Sequence, residues 1–426
     1  MSDWPRRWKL FGILDSMSLF GTNATSVRYG ALIDIGSGSV LVAIIASDPL
    51  KTHPDVIWSK REYAPLRDIN SVTESAKNVM TSLLNALMKL DSEGRAAFKE
   101  ATGKSKLPET QIAIAAPWSY TVTKSITYEH DETFTLSEDL IDELLRTAHK
   151  KVGEEIEDNE QVHNFDLSVI SRSTTGVIAN GYPVRAILDQ QINTLKLIES
   201  SSIAQDYLIE AIREVKDKVL PGSDLFMYSF ILMYYYVLKD LTPDTNEFCL
   251  VDVTYEATEI GIVREGILNY CTHTPFGAFS IAREIAAVLK IPLEEAYGYL
   301  HEEDPLTLLT ERTTTERKEV AQIFTNYQAK ITELFHETGD TLAIPKKIYL
   351  HGDLETETFF KTQVAKAAKT ATKSSHAVFL VSFELLTKYY ETEAKDNLLQ
   401  KNLDTALLIS AQFFHTTEYH KKFKQF

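Results

Sequence analysis

Residues 29–47 read YGALIDIGSGSVLVAIIAS, and residues 248–263 read FCLVDVTYEATEIGIV. In each stretch an apolar segment typical of a strand ends in an aspartate, a polar loop rich in hydroxyl residues follows, and a second apolar segment resumes. When Asp34 is aligned with Asp252, the apolar positions on both sides of the loop coincide. Two copies of strand, loop and strand predict a duplicated α/β unit with a cleft between its halves.

The two loops contain the groups that bind a polyphosphate and its metal ion. Glycines let backbone N–H groups approach an anion closely, and an aspartate at a strand end can hold hydrated Mg²⁺. A P-loop and a strand-to-helix GxGxxG motif are both absent from the sequence. Asp34 and Asp252 are the predicted Mg²⁺ residues, each binding through water, and no catalytic residue is assigned. The predicted binding residues in the loops are Asp34, Gly36, Ser37, Gly38, Ser39, Asp252, Thr254 and Thr258.

Three segments, in this order, resemble the actin-like ATPases. DIGSGS at 34–39 is similar to their first phosphate loop, and VDVTYEAT at 251–258 is similar to their second. IYLHGD at 348–353 stands where these proteins have a glycine-rich adenosine motif. The resemblance implies that ATP and Mg²⁺ bind between the two halves, and it adds Gly277 and Gly352 to the binding residues.

Residues 109–200 resemble the subdomain that distinguishes one branch of these proteins, the FtsA/PilM family. IAIAAPWSYT, a helix that begins LSEDLIDELL with Ser137 as its cap, and VIANGYPV are similar to the strand–helix–strand–strand unit inserted in the first half of that family. The expected fold class is therefore α/β, an actin-like (ribonuclease H-like) duplicated fold with an inserted small α+β subdomain.

The resemblance and the pattern of elements also divide the chain into segments. Apolar spacing predicts a helix over 71–90 and a buried helix over 225–238, whereas the polar stretch 91–108 has no predicted element. A strand is predicted over 380–382. The segments are a leader (1–27), the opening of the first half (28–108), the inserted subdomain (109–200), helices that complete the first half (201–244), the second half with its phosphate loop (245–275), a helical nucleotide-covering subdomain (276–344), the rest of the second half with the adenosine motif (345–400), and a C-terminal element with a basic tail (401–426).

Departures from the family pattern bear on the chemistry. The second phosphate loop has Thr254 where the family has glycine, and the adenosine motif keeps only Gly352, between His351 and Asp353. A side chain at either place narrows the nucleotide pocket that the resemblance implies. Residues 224–229 also lack the glutamine or glutamate that positions water in active relatives. We therefore expect ATP binding with weak or absent hydrolysis, and a degenerate adaptor that binds no nucleotide is the alternative.

The resemblance implies a scaffold whose nucleotide state controls partner binding or self-association at the cytoplasmic face of the membrane. An FtsA-like role in cell division gives an FtsZ-like filament tail as the partner. A PilM-like role in type IV pilus assembly gives the tail of a pilus inner-membrane protein instead. A small-molecule kinase of the same superfamily is a further alternative, but no aspartate stands out as its catalytic base.

Composition and charge narrow the functional classes. A net charge of −16 argues against nucleic-acid binding, because an acidic surface repels phosphate backbones. Only two cysteines, Cys249 and Cys271, occur in 426 residues, which fits a reducing, cytoplasmic compartment. The longest apolar run, 225–238, is shorter than the roughly 18 residues that span a bilayer.

Both ends of the chain are candidates for peripheral membrane contact. In the leader, Trp4, Trp8 and Phe11 recur near helical spacing with cations between them, which is typical of an amphipathic helix at a membrane interface. The alternative is that these aromatic side chains dock on the protein itself. The lysines and aromatic residues after 414 either touch a surface or form a frayed tail.

Overall fold

The computed structural model describes residues 27–65, 72–158, 166–184, 191–339, 344–352, 356–400 and 403–421. The predicted amphipathic helix of the leader, Asp353 of the adenosine motif and the end of the basic tail lie outside the described residues.

Strands and helices are both numbered in chain order. The strands are β1 (Arg28–Ile35), β2 (Ser39–Ser47), β3 (Asp55–Tyr63), β4 (Glu109–Ile114), β5 (Ser119–Thr135), β6 (Leu167–Ala179), β7 (Tyr182–Pro183), β8 (Gln191–Gln205), β9 (Asp224–Ser229), β10 (Phe248–Val253), β11 (Thr258–Arg264), β12 (Ile267–Thr274), β13 (Lys347–Gly352) and β14 (Ala377–Leu380). The helices are α1 (Val72–Lys89), α2 (Arg95–Thr102), α3 (Glu138–Asp158), α4 (Asp206–Val219), α5 (Phe230–Leu241), α6 (Ala278–Leu289), α7 (Leu293–Tyr299), α8 (Thr314–Glu337), α9 (Glu357–Thr372), α10 (Phe383–Leu386), α11 (Thr392–Gln400) and α12 (Thr405–Lys421).

The two halves of the molecule are built on the same five-stranded sheet. Its strand order is β3-β2-β1-β4-β9 in the first half and β12-β11-β10-β13-β14 in the second. In both sheets the first three strands are antiparallel and the last three are parallel. The register agrees too, because Ile33 faces Val42 in one sheet and Val251 faces Ile260 in the other. The duplication predicted from the two aspartate loops is confirmed.

The inserted subdomain is a separate antiparallel sheet, ordered β5-β8-β6-β7. Helix α3 covers one face of this sheet, where Ile141 and Leu144 join a small core with Ile126 and Leu195. The hydroxyl of Ser137 accepts a hydrogen bond from the backbone N–H of Leu140 at 3.3 Å, as the sequence predicts for the helix cap.

Helices cover both faces of each large sheet. Helices α1, α2 and α4 pack on the outer face of the first sheet, and α6, α8 and α9 pack on the outer face of the second. Helices α5 and α12 share the core that joins the two sheets. Side chains from Phe230 to Leu238 in α5 are buried all around the helix, which explains why this segment has no polar stripe in its sequence.

The prediction of a buried helix over 225–238 is wrong in its first part. Residues 224–229 form β9, and α5 begins at Phe230. A short apolar run has no periodicity that distinguishes a buried strand from a buried helix.

Other elements also differ from the sequence-based boundaries. The stretch 91–108 contains α2, and the strand expected over 380–382 lies earlier, as β14. Strand β4 hydrogen-bonds to β1 and β9, so it belongs to the first large sheet. The inserted subdomain therefore begins with β5 and not at residue 109, where the sequence-based boundary lies. Strand β8, which is not predicted from the sequence, crosses the boundary at 200. In the part of the chain that the structure describes, no helix is long and apolar enough to cross a membrane.

Candidate functional site

The two loop aspartates lie at equivalent places, one residue before the ends of β1 and β10. Asp34 is 4% exposed and Asp252 is 2% exposed. Each belongs to a row of four side chains that face one another across neighbouring strands. We call these the first row and the second row. The first row is Arg61, Leu41, Asp34 and Ala113, and the second row is His273, Glu259, Asp252 and His351.

Arg61 pairs with Asp34 and ties the first loop to the C-terminal helix. Its Nη2 lies 3.5 Å from Oδ2 of Asp34, and its Nη1 donates to the hydroxyl of Ser39 at 2.5 Å. Its Nε donates to Oδ2 of Asp404 at 2.7 Å. Asp404 in turn accepts the backbone N–H of Leu407 in the first turn of α12. Burial raises the pKa of Asp34 to about 6, although the Arg61 guanidinium opposes that rise.

His351 pairs with Asp252 in the second half. Nδ1 of His351 lies 2.8 Å from Oδ1 of Asp252, and both residues are 2% exposed. The rings of Phe230 and Tyr234 pack on the imidazole, with centroid distances of 5.0 and 5.8 Å. The other carboxylate oxygen of Asp252, Oδ2, has no hydrogen-bond partner among the described residues.

The two loops touch each other directly. The hydroxyl of Ser37 donates to the hydroxyl of Thr254 at 2.8 Å, and it accepts the backbone N–H of Glu256 at 2.9 Å. Ser37 and Thr254 are both buried. Glu256 is held in turn by a bidentate ion pair with Arg283 of α6. The Ser37 and Thr254 hydroxyls, which are predicted to bind phosphate, therefore bond to each other.

Two glycines permit this close contact because a side chain at either position would collide with the second loop. A Cβ atom on Gly38 would lie 2.5 Å from Cγ of Tyr255, whose ring covers the first loop. A Cβ atom on Gly277 would lie 2.4 Å from the carbonyl oxygen of Thr254. The N–H of Ala278, the first residue of α6, donates to that same carbonyl at 3.1 Å.

The other predicted residues take different positions. The hydroxyl of Thr258 turns toward the helical subdomain, where it bonds to the carbonyl of Phe276 and lies 2.9 Å from the hydroxyl of Tyr327. Gly352 lies at the end of β13 beside Val253. Gly36 donates its N–H to the carbonyl of Ser39, which closes the first loop on itself. Of the ten predicted residues, Ser37, Gly38, Thr254 and Gly277 lie at the contact between the loops. Asp34 and Ser39 share Arg61, and Asp252 pairs with His351. Gly36, Thr258 and Gly352 take other positions.

In this arrangement the residues do not fit a nucleotide polyphosphate. The phosphate groups would need N–H and hydroxyl donors, but Ser37, Thr254 and the N–H of Glu256 already bond across the loops. Mg²⁺ would need the carboxylates, but Arg61 and His351 lie against them. Among the described residues, no three His, Cys, Asp or Glu side chains are grouped to hold a metal ion. ATP and Mg²⁺ therefore stay predictions.

Sequence reasoning misses several residues that shape the site. Arg61 comes from β3 and carries no motif, so only the register with Leu41 reveals it. Trp118 donates its indole N–H to the carbonyl of Gly36 at 3.1 Å from a segment that reads as part of the inserted unit. His351 and Tyr255 stand inside the recognised motifs, where a ligand is expected rather than a side chain.

No protein-family model and no curated protein matches this chain. A chain in the solved PilM–PilN type IV pilus biogenesis complex is 11% identical, with 92% of this chain and 99% of that chain covered and a TM-score of 0.56. Ethanolamine utilization protein EutJ from Carboxydothermus hydrogenoformans is 12% identical, with coverages of 82% and 84% and a TM-score of 0.40. A protein of actin-like ATPase fold and unknown function from Bacteroides thetaiotaomicron is 11% identical, with coverages of 89% and 99% and a TM-score of 0.38.

At these identities the likeness concerns the fold and not the chemistry. The same strand order in both halves, the inserted antiparallel sheet and the match over nearly the whole PilM–PilN chain agree with one another. The resemblance to the FtsA/PilM family is thereby confirmed at the level of the fold, and this chain is an actin-fold protein with the architecture seen in the PilM–PilN structure.

Proposed function

We propose that this chain is an actin-fold scaffold that binds a protein partner while its own side chains lock the cleft between its halves. The observation that carries the proposal is the direct bond between Ser37 and Thr254, with Arg61 and His351 against the two aspartates. Each of these groups has a protein partner, so a ligand in the cleft would first have to break those bonds. The two halves are then held rigidly together, and the protein partner binds to an outer surface rather than in the cleft.

The partner that we propose is the tail of a membrane protein at the cytoplasmic face of the membrane. One solved structure that shares the fold is a PilM–PilN complex. By analogy with that complex, the tail of a pilus inner-membrane protein fits better than the tail of an FtsZ-like filament. Self-association of the chain and peripheral contact with the membrane belong to the same proposal. The acidic surface, with a net charge of −16, favours a basic partner segment.

A nucleotide-gated scaffold is the second candidate. It is favoured by the unpartnered Oδ2 of Asp252, a buried carboxylate oxygen of the kind that a cation satisfies. In this candidate the lock would be the closed state, and Asp34 and Asp252 would hold Mg²⁺ of a bound nucleotide only after Arg61 and His351 had moved away from them. Closure and opening would then set partner affinity through a shift in population.

Equilibrium binding of a fluorescent ATP analogue with Mg²⁺ separates the two candidates. The proteins to compare are the intact chain, Asp34→Ala, Asp252→Ala and, as a matched surface control, Asp91→Ala, which removes an exposed carboxylate. The locked scaffold predicts no saturable binding at millimolar nucleotide. Saturable binding that both site substitutions weaken and the control leaves intact would replace the locked scaffold by the gated one.

The partner class is tested by titrating the full chain with peptides. One peptide is the cytoplasmic tail of a pilus inner-membrane protein, and the other is the tail of an FtsZ-like filament protein. The proposal expects saturable binding of the first peptide in the absence of nucleotide. Binding of the filament tail alone would overturn the pilus assignment, and binding of neither would overturn both partners.

A further inference from the structure

A cavity of about 270 Å³ lies where the inserted subdomain meets the second half. Residues 120–124 at the start of β5 line one side, and residues 270–273 of β12 line the other. Glu259 of β11 completes the lining. Glu259 and Thr121 are buried whereas the other lining residues are half-buried, so these two residues form the inner part of the lining.

The Glu259 carboxyl group is buried without a partner. Its side chain is 1% exposed, and neither carboxyl oxygen has a hydrogen-bond partner among the described residues. An unpaired buried carboxylate is costly, so such a group is normally paired, metal-bound or neutral. Burial, reinforced by the nearby Asp252 carboxylate, raises the pKa of Glu259 well above its ordinary value. The Glu259 carboxyl group is therefore a buried acid that a bound cation could pair with.

The walls of the cavity suit an organic cation. The ring of Tyr120 stacks on the imidazole of His273 with a centroid distance of 5.9 Å, and Tyr270 adds a second phenol ring to the lining. Aromatic faces attract ammonium and guanidinium groups, and the attraction strengthens when water is excluded. Lys124, the cation of the lining, is in register with Glu199 of β8, which provides an acidic neighbour within its own sheet.

We propose that this cavity binds the cationic end of a lysine or arginine side chain from a partner protein, with Glu259 as its anionic partner. The acidic chain attracts basic segments, and the cavity is larger than a lone ammonium ion needs. The proposal deepens the scaffold function by naming the chemistry of the partner. It does not use the loop residues of the cleft, so it stands or fails separately from nucleotide binding.

The experiment measures equilibrium binding of small probes to the full chain by isothermal titration. The probes are Nα-acetyl-lysine amide, Nα-acetyl-arginine amide, n-butylamine as a free amine, and Nα-acetyl-citrulline amide as a neutral analogue. The expected result is saturable binding of the lysine and arginine probes and none of the citrulline probe. The variant Glu259→Gln should lose about tenfold or more in affinity, the scale of about one charge-assisted hydrogen bond.

A control is Glu247→Gln, which changes an exposed acidic side chain that does not line the cavity. This variant should bind the probes like the intact chain. Equal binding to Glu259→Gln and the intact chain, or no saturable binding of either cationic probe, would overturn the proposal. Binding of n-butylamine without the two amide probes would make a free amine the ligand and overturn the assignment to a partner side chain.

Discussion

The first row and the second row occupy the same place in the two halves and provide different partners for their aspartates. In the first row, Arg61 on an outer strand pairs with Asp34 across Leu41. In the second row, Glu259 stands where Leu41 stands, and the hydrogen-bond partner of Asp252 comes from the opposite side, as His351 in the position of Ala113. Equivalent backbones therefore do not impose equivalent electrostatics.

The difference also assigns separate tasks to the two halves. Arg61 of the first row also bonds to Asp404, so this row ties the first loop to the C-terminal helix. The second row ends in His273, so it reaches the cavity beside the inserted subdomain. The first row bonds the first loop to the C-terminal helix, and the second row extends from the cleft to the proposed partner site.

The largest expected effect comes from breaking the first row with Arg61→Met. This change leaves Asp34 buried without its cation and frees Asp404, so the free energy of unfolding should fall by about 3 to 5 kcal/mol. Urea denaturation at neutral pH measures the change. The control Lys218→Met removes an ion pair in which both side chains are 68% exposed, and it should cost less than about 0.5 kcal/mol. An equal loss in the free energy of unfolding for the two variants would show that the buried Arg61–Asp34 pair stabilises the protein no more than an exposed ion pair does.

His351→Ala makes the second row resemble the first at the position of Ala113. It removes the partner of Asp252 and leaves a cavity under Phe230 and Tyr234, so we expect a loss of about 2 to 4 kcal/mol by urea denaturation. His301→Ala changes a histidine on the exposed surface and should be nearly neutral. A neutral result for His351→Ala would mean that Asp252 needs no partner from β13.

Glu259→Leu places the leucine of the first row in the second row. Removing an unpartnered buried carboxyl group should raise the free energy of unfolding by about 1 to 3 kcal/mol. Because the pKa of Glu259 is raised in the folded chain, the intact protein is penalised as pH rises above the ordinary pKa of glutamate. The gain should therefore be larger at pH 8 than at pH 5, as urea denaturation at both values would show. A gain that does not change with pH, or one shared by the exposed Glu247→Leu, would be contrary to this reading.

The smallest effect concerns the contact between the loops. A double-mutant cycle of Ser37→Ala and Thr254→Val should give a coupling of about 1 kcal/mol, because both changes remove the same hydrogen bond. Urea denaturation of the single and double variants measures it. Ser37→Ala combined with Thr147→Ala, whose hydroxyl donates to the carbonyl of Glu143 in its own helix, should be additive. Additive losses in the first cycle as well would mean that the loops do not stabilise each other.

The sequence is informative about the loops because their chemistry is local. A strand that ends in aspartate, followed by small polar residues, can be recognised without any distant contact, and both copies are confirmed in the same register. The inserted sheet is only partly predicted because β8 mixes serines with apolar residues and has no clean alternation. The strand β9 is hidden in the apolar run that continues into α5.

The sequence alone determined the duplicated unit and the positions of Asp34 and Asp252, because these patterns act over short stretches of chain. It indicated the actin-like fold class through the resemblance of three motifs, in order, to a known family. Only the tertiary structure decided what lies against those aspartates. Arg61, His351 and Tyr255 reach the loops through strand register and side-chain packing between distant segments. That packing decides whether a loop of the phosphate-binding type bonds to phosphate or to the other loop. No local sequence pattern encodes this choice.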